Sequence, residues 1–180
     1  MNKPLPIGTI LGNEFLNRPT LVVAEELLGQ QLCRQIGDKT FRYQITEVEA
    51  YDGPEDKACH AHKGETDRNS VMFGPAGNWY IYLCYGVHWL LNIVTGPKDY
   101  PAAVLFRGLK EVTGPGRLTK KLEIDKALNR LPAKPETRLW LESSGLVIQQ
   151  DDYEKTPRIG IDYAGPEWIS APYRFVMKGT

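Results

Sequence analysis

Apolar and polar positions change period several times along the chain, and each change marks an element. Leu21, Ala24 and Leu28 recur at helical spacing, which predicts a helix over residues 20–28 with Thr20 as N-cap and Gly29 as its stop. Extended patterns follow at 30–35 and 40–51, joined by the turn-forming Gly37-Asp38-Lys39. Residues 53–69 are polar and contain a proline, which predicts a loop or short helix. Residues 78–94 have the pattern of two strands folded back at Tyr85-Gly86, and 102–108 that of a further strand. A second helix is predicted over 118–128, an irregular connection from 132–135, and short strands at 145–148 and 158–163. Strands gathered in the middle of the chain, with helices at its flanks, predict an α+β fold around a largely antiparallel sheet.

Composition narrows the class. A chain of 180 residues suits one domain over 1–180 and buries roughly 70% of its unfolded surface, so no metal or disulfide staple is needed. The 42% hydrophobic and 24% charged fractions exclude a wholly disordered chain. Lys+Arg and Asp+Glu balance at 22 each, which argues against a protein held on nucleic acid or membrane by bulk charge, and leaves room for a local basic face. Cys33, Cys59 and Cys84 are odd in number and form no C-x-x-C pair, as expected in a reducing compartment. The opening residues 1–6 have no apolar h-region, and the runs at 90–94 and 102–106 are far too short for a bilayer. A soluble, cytoplasmic protein is expected.

Three segments carry candidate chemistry. In Thr46-Glu47-Val48-Glu49-Ala50-Tyr51 the alternation puts Glu47, Glu49 and Tyr51 on one face, and more acids and two histidines (His60, His62) follow. Three readings stay open: a solvated acidic face, a metal site without any recognised ligand spacing, and a carboxylate serving as general base. Trp79-Tyr80-Ile81-Tyr82-Leu83-Cys84-Tyr85 holds four aromatics, most simply core, except that Tyr85 beside Gly86 at a hairpin tip is placed for a partner. Asn92 interrupts an apolar strand, either as a structural hydrogen-bonder or as a polar probe in an apolar pocket. Residues 107–126 carry six cations against three anions, a solvated helix face or a basic surface. Gly114-Pro115-Gly116-Arg117 lacks P-loop spacing but could offer backbone N–H groups to a phosphate.

A longer ordered set runs through these segments. It comprises Glu47-Val48-Glu49-Ala50-Tyr51, Gly53-Pro54-Glu55-Asp56, His60, Thr66-x-Arg68-Asn69, Met72-Phe73 and Tyr80-x-Tyr82-x-x-Tyr85-Gly86. Asn92, Leu105-Phe106-Arg107, Gly114-Pro115-Gly116-x-Leu118 and Arg158-Ile159-Gly160-Ile161 complete it. Spanning about residues 15–175, it resembles the alkyladenine (3-methyladenine) DNA glycosylases, in a bacterial-type, single-domain form without the N-terminal extension of animal members.

The resemblance implies a curved antiparallel sheet with surrounding helices and a protruding, DNA-intercalating β-hairpin. It implies a monofunctional enzyme, acting as a monomer, that hydrolyses the N-glycosidic bond of damaged purines in double-stranded DNA with no metal, cofactor or lyase step. Alkylated adenine, ethenoadenine and hypoxanthine are the implied lesions, and an abasic site the product. A duplex hides the bond, so the nucleotide must be flipped out. On this resemblance Tyr85 fills the vacated space with Val87 beside it, and Tyr51 and His60 sandwich the base against Tyr82. Asn92 probes its edge. Glu49 is the general base, aligning a water that Arg107 and the Ile159 carbonyl also hold, and Lys120 and Lys121 contribute a basic face. Val87 and His88 stand where animal members often carry methionine and tyrosine, which implies a less firm wedge. Two alternatives use the same residues differently: a non-catalytic nucleic-acid-binding module built on the hairpin tyrosine, and a metal-dependent hydrolase built on the acidic loop.

Overall fold

In the computed structural model, which describes residues 4–179, a single long strand organises everything else. The first three residues of the segment read for a signal peptide lie outside the described residues. The strands are β1 (Gln31–Ile36), β2 (Lys39–Asp52), β3 (Trp79–Cys84), β4 (His88–Val94), β5 (Ala102–Leu109), β6 (Val112–Thr113), β7 (Leu139–Glu142), β8 (Tyr153–Thr156) and β9 (Arg174–Met177). Four short helices accompany them: α1 (Asn13–Leu16), α2 (Thr20–Leu27), α3 (Pro115–Lys121) and α4 (Pro166–Ser170). The first half of β2 pairs with β1 and its second half with β5 on one edge and β9 on the other, in an open sheet of order β3-β4-β5-β2-β1-β7. Every pairing is antiparallel, so the α+β expectation holds.

Both faces of the sheet centre are covered. Val48, Ala50, Trp79, Ile81, Leu91, Ile93, Val104 and Phe106 point into the main core, which α2 closes against β2 and β5 and α3 against β4 and β5. Their strand neighbours Tyr80, Val94 and Ala103 point the other way and meet Cys59, Ala61, Val71 and Met72 from the long polar connection 53–73. Strand alternation thus assigns the site residues to this second, smaller cluster.

Several predicted elements differ in detail. Pro19, not Thr20, occupies the cap position of α2, and Thr20 Oγ1 instead accepts from the Thr95 hydroxyl at 3.1 Å. The second helix starts three residues earlier than predicted, because Pro115 is preset for a first turn. It also stops earlier: Glu123 turns to φ +49°, and the Asp125 carboxylate caps a separate 3₁₀ turn by accepting from the Ala127 N–H. Residues 145–148 are not a strand, since the Ser143 and Ser144 hydroxyls accept the Gly145 and Leu146 N–H groups. Residues 158–163 are not a strand either, because the Ile159 N–H is spent on a side chain. The short strands β7, β8 and β9 were not predicted. All three cysteines are free. Among the described residues no helix is long and apolar enough to cross a membrane.

Candidate active site

The centre of the site is the Glu49 carboxylate, which has no exposed surface. Its Oε1 accepts the Ile159 N–H at 2.8 Å and its Oε2 accepts the Tyr51 hydroxyl at 2.9 Å. Ile159 therefore meets Glu49 through its N–H, a contact beyond the water-holding carbonyl that the resemblance implies. Arg107 Nε lies 3.4 Å from Oε1. Burial pushes the Glu49 pKa up, while Arg107, the Ile159 N–H, Tyr51 and Arg158 hold it back.

A β-bulge aims Arg107. Glu47 stands opposite Gly108 and Val48 opposite Phe106, so Arg107 is the extra residue on β5. Its Nε donates to Glu47 Oε1 at 2.9 Å, and Arg174 Nε donates to the same oxygen at 2.6 Å. Glu47 is thus the anchor that orients Arg107. Glycine is needed at 108, because a Cβ there would sit 2.9 Å from the Glu47 Cβ.

A cavity of about 830 Å³ opens in front of this floor, lined among others by Tyr51, His60, Tyr82, Asn92, Arg107 and Ile159. Its size is that of a small-molecule site. Glu49 lies behind the lining rather than in it. His60 Nδ1 and the Tyr80 hydroxyl are 2.9 Å apart, and the His60 backbone carbonyl accepts from Asn69, whose amide also closes the loop at Gly64 and Thr66. The His60 and Tyr82 rings touch edge to face, centroids 4.7 Å apart. A purine stacked between two parallel rings needs about 7 Å, twice the roughly 3.5 Å carbon contact distance, so the rings must part to hold a base. The Arg68 guanidinium lies over Tyr82, 4.9 Å from the ring centroid. Asn92 is buried in β4, and its Nδ2 donates to the Tyr80 carbonyl at 3.0 Å, which fixes the amide.

At the rim, β3 turns into β4 through Tyr85-Gly86-Val87, with the Val87 N–H bonded to the Cys84 carbonyl. Both central residues have positive φ, +50° for Tyr85 and +68° for Gly86, as a type I′ turn demands. Glycine accepts this freely, whereas a tyrosine in place of the usual Asn or Asp is strained by about 1–2 kcal/mol. Its side chain is spent on no packing: Tyr85 is 93% exposed, and Val87 is exposed beside it. Of the basic stretch, Arg117 lines the cavity, whereas Lys121 points to Glu111, 3.5 Å away, and over the Tyr43 ring. Lys120 is exposed on α3 and does not line the cavity.

Asp56, Arg158 and Arg174 escaped the sequence reading as individual residues. Their ion pairs join segments about a hundred residues apart, and spacing gives no sign of that. Among the described residues no group of three or more His, Cys, Asp or Glu side chains could hold a metal ion.

The His60 imidazole, on the cavity wall, gives a pH prediction. Burial, with Arg68 nearby, pushes the His60 pKa down to about 4, whereas the unfolded chain titrates near 6.5. Between these values the unfolded state binds more protons. The contribution is therefore complete above about pH 6.5 and is lost as pH falls towards 4. Urea unfolding should show stability dropping more over this window in the wild type than in His60→Gln. Parallel curves for the two proteins would contradict the assignment.

Comparisons with known proteins point the same way as the site. The Methylpurine-DNA glycosylase (MPG) family model matches residues 14–113 and 110–180. A protein of Wolbachia pipientis wMel is 48% identical over 161 residues, covering 86% of each chain. One of Myxococcus xanthus is 43% identical over 180 residues, with 94% of this chain and 91% of its own covered. One of Psychrobacter cryohalolentis is 38% identical over 195 residues, covering 91% of each. All three carry the name "Putative 3-methyladenine DNA glycosylase". The chain is a DNA N-glycosylase and belongs to the methylpurine-DNA glycosylase family.

Proposed function

We propose that the protein flips alkylated adenine, ethenoadenine and hypoxanthine out of double-stranded DNA and hydrolyses their N-glycosidic bond, leaving an abasic site for base excision repair. The observation that carries this reading is a buried carboxylate, each oxygen accepting one hydrogen bond, behind an aromatic cavity whose rim bears an exposed, strained tyrosine. Glu49 acts as general base on a water directed at C1′, with Arg107 and Ile159 beside it, and its negative charge stabilises the oxocarbenium-like sugar. Because the carboxylate is sealed by Tyr51, Arg107 and Ile159, substrate binding admits the water by loosening one of these contacts. His60 and Tyr82 part to let the base stack, and Tyr85, with Val87 at its side, fills the gap left in the duplex. Arg117 at the cavity mouth meets the phosphates, with the exposed Lys120 on the same helix, whereas Lys121 is held by Glu111 and Tyr43. The protein acts as a monomer without metal or cofactor.

Specificity is assigned to Asn92. Guanine differs from hypoxanthine by one 2-amino group. A fixed amide at that edge rejects it sterically and leaves a donor unpaired. Asn92→Ser should make guanine in G·T pairs a detectable substrate and change hypoxanthine excision by a smaller factor. Abasic-site release from G·T and hypoxanthine·T duplexes by the two proteins checks this. A folded variant still active on hypoxanthine, with no gain on guanine, would leave Asn92 as a strand hydrogen-bonder only.

A further inference from the structure

The Asp56–Arg158 ion pair has no exposed side-chain surface and is bidentate, Nη1 to Oδ2 at 2.5 Å and Nη2 to Oδ1 at 2.8 Å. Its remaining contacts reach three separate segments. Arg158 Nη1 also donates to the Ala50 carbonyl in β2 at 2.8 Å. Asp56 accepts the N–H groups of Asp52, at the end of β2, and of Ala58, two residues before His60. The guanidinium lies against the Tyr51 ring, 4.7 Å from its centroid, and against the Tyr173 ring at 5.1 Å. Arg158 is followed directly by Ile159, the amide donor to Glu49. One ion pair therefore joins the strand that bears Glu49 and Tyr51, the loop that bears His60, and the segment that bears Ile159.

A buried pair of this kind is weak evidence for stability. Removing two charges from water costs about as much as their attraction returns, and well-packed apolar replacements are often neutral. Arg158 Nε, moreover, is buried with no hydrogen-bond partner, which adds cost. What the pair supplies that an apolar pair could not is direction: a planar fork fixes both loops relative to β2.

We propose that Asp56 and Arg158 are positioning residues for the glycosylase reaction, holding the Ile159 amide and the Tyr51 ring in register with Glu49. Neither touches the reacting atoms. The inference rests on the reading of Glu49 as general base. Arg158 also bears on its titration. The groups acting on Glu49 are Tyr51 from β2, Arg107 from β5, and Arg158 with the Ile159 N–H, while Glu47 on β2 and Arg174 on β9 are linked to Arg107 through one Glu47 oxygen. Of the ion pair, Arg158 is the member whose charge helps hold the Glu49 pKa down.

The test uses the double variant Asp56→Leu/Arg158→Met, which removes both charges together, with the isosteric Asp56→Asn as a second variant that breaks the pair from one side. Each is compared with wild type and Glu49→Gln in single-turnover excision across pH and in binding to a lesion duplex. We expect Asp56→Asn to lose roughly tenfold or more in excision rate with lesion binding within about threefold, since misplacement alone costs rate. The double variant should lose more, and its acid limb should move to higher pH, because Glu49 has lost a cation. A pair that held only the fold would lower the yield of folded protein and leave the rate per folded molecule unchanged. Folded variants with wild-type rates and an unmoved acid limb overturn the proposal if Glu49→Gln is inactive. If Glu49→Gln itself keeps its activity, the general-base reading fails instead. Should the double variant not fold, the rate and binding of Asp56→Asn decide alone, a wild-type rate overturning the proposal.

Discussion

Replacing Glu49 by Gln should reduce single-turnover excision by about a hundredfold or more, the usual value of a positioned general base, while lesion-duplex binding survives. The separation follows from where the carboxylate sits. It lies behind the cavity lining, so a base in the proposed slot would meet Tyr51, His60 and Tyr82 and not Glu49 itself. Glutamine keeps the shape and can still accept one of the two hydrogen bonds that Tyr51 and Ile159 donate, so the fold around it should persist. What is lost, on the proposed mechanism, is the proton acceptor and the negative charge that stabilises the sugar. Because burial raises the Glu49 pKa, wild-type activity should fall on acidification with a midpoint above the ordinary carboxylate range, and the residual activity of the variant should lack this limb. Near-normal excision by a folded Glu49→Gln protein would remove Glu49 from the chemistry.

Tyr85→Ser should weaken lesion-specific binding by about 1–3 kcal/mol, the value of one base–aromatic stack, or roughly 5- to 150-fold. In the free protein this ring packs against nothing, being 93% exposed, so its removal costs no core. The φ of +50° is also easier for serine than for a bulky aromatic, so stability should be kept or slightly raised. The whole loss should therefore appear in the complex. Excision from a duplex should suffer more than excision from a single strand, where no stacked partner has to be replaced. Equal losses on both substrates would assign the effect to something other than flipping.

The part of the site that lies on one strand was legible in the sequence. Alternation through 46–51 put Glu47, Glu49 and Tyr51 on one face, and the structure has them converging there with Arg107. The Tyr85-Gly86 turn was legible for a similar reason, since two strong strand patterns flank Gly86, the one strand-breaking residue between them. Contacts made across the sheet by loops were not. Asp56 stood in an acidic run that reads as solvated, yet it is wholly buried because Arg158 comes from 102 positions away to meet it. Arg174 sat in a four-residue strand too short for any periodicity, and its pairing with Glu47 depends on β9 lying along the free edge of β2. The closed state of the base slot was equally hidden. The family resemblance implies that His60 and Tyr82 flank one base, but only the structure tells whether the two rings touch or stand a purine apart.

Central to the proposed function is hydrolysis of a glycosidic bond by these residues without help from a metal. The most direct measurement is product analysis after the wild-type protein acts, in EDTA, on a duplex with one methylated adenine. The account predicts free methylated base, an intact strand, and a break at the lesion only after alkali. A strand cut before alkali, a covalent protein–DNA adduct trapped by borohydride, or no free base at all would contradict it.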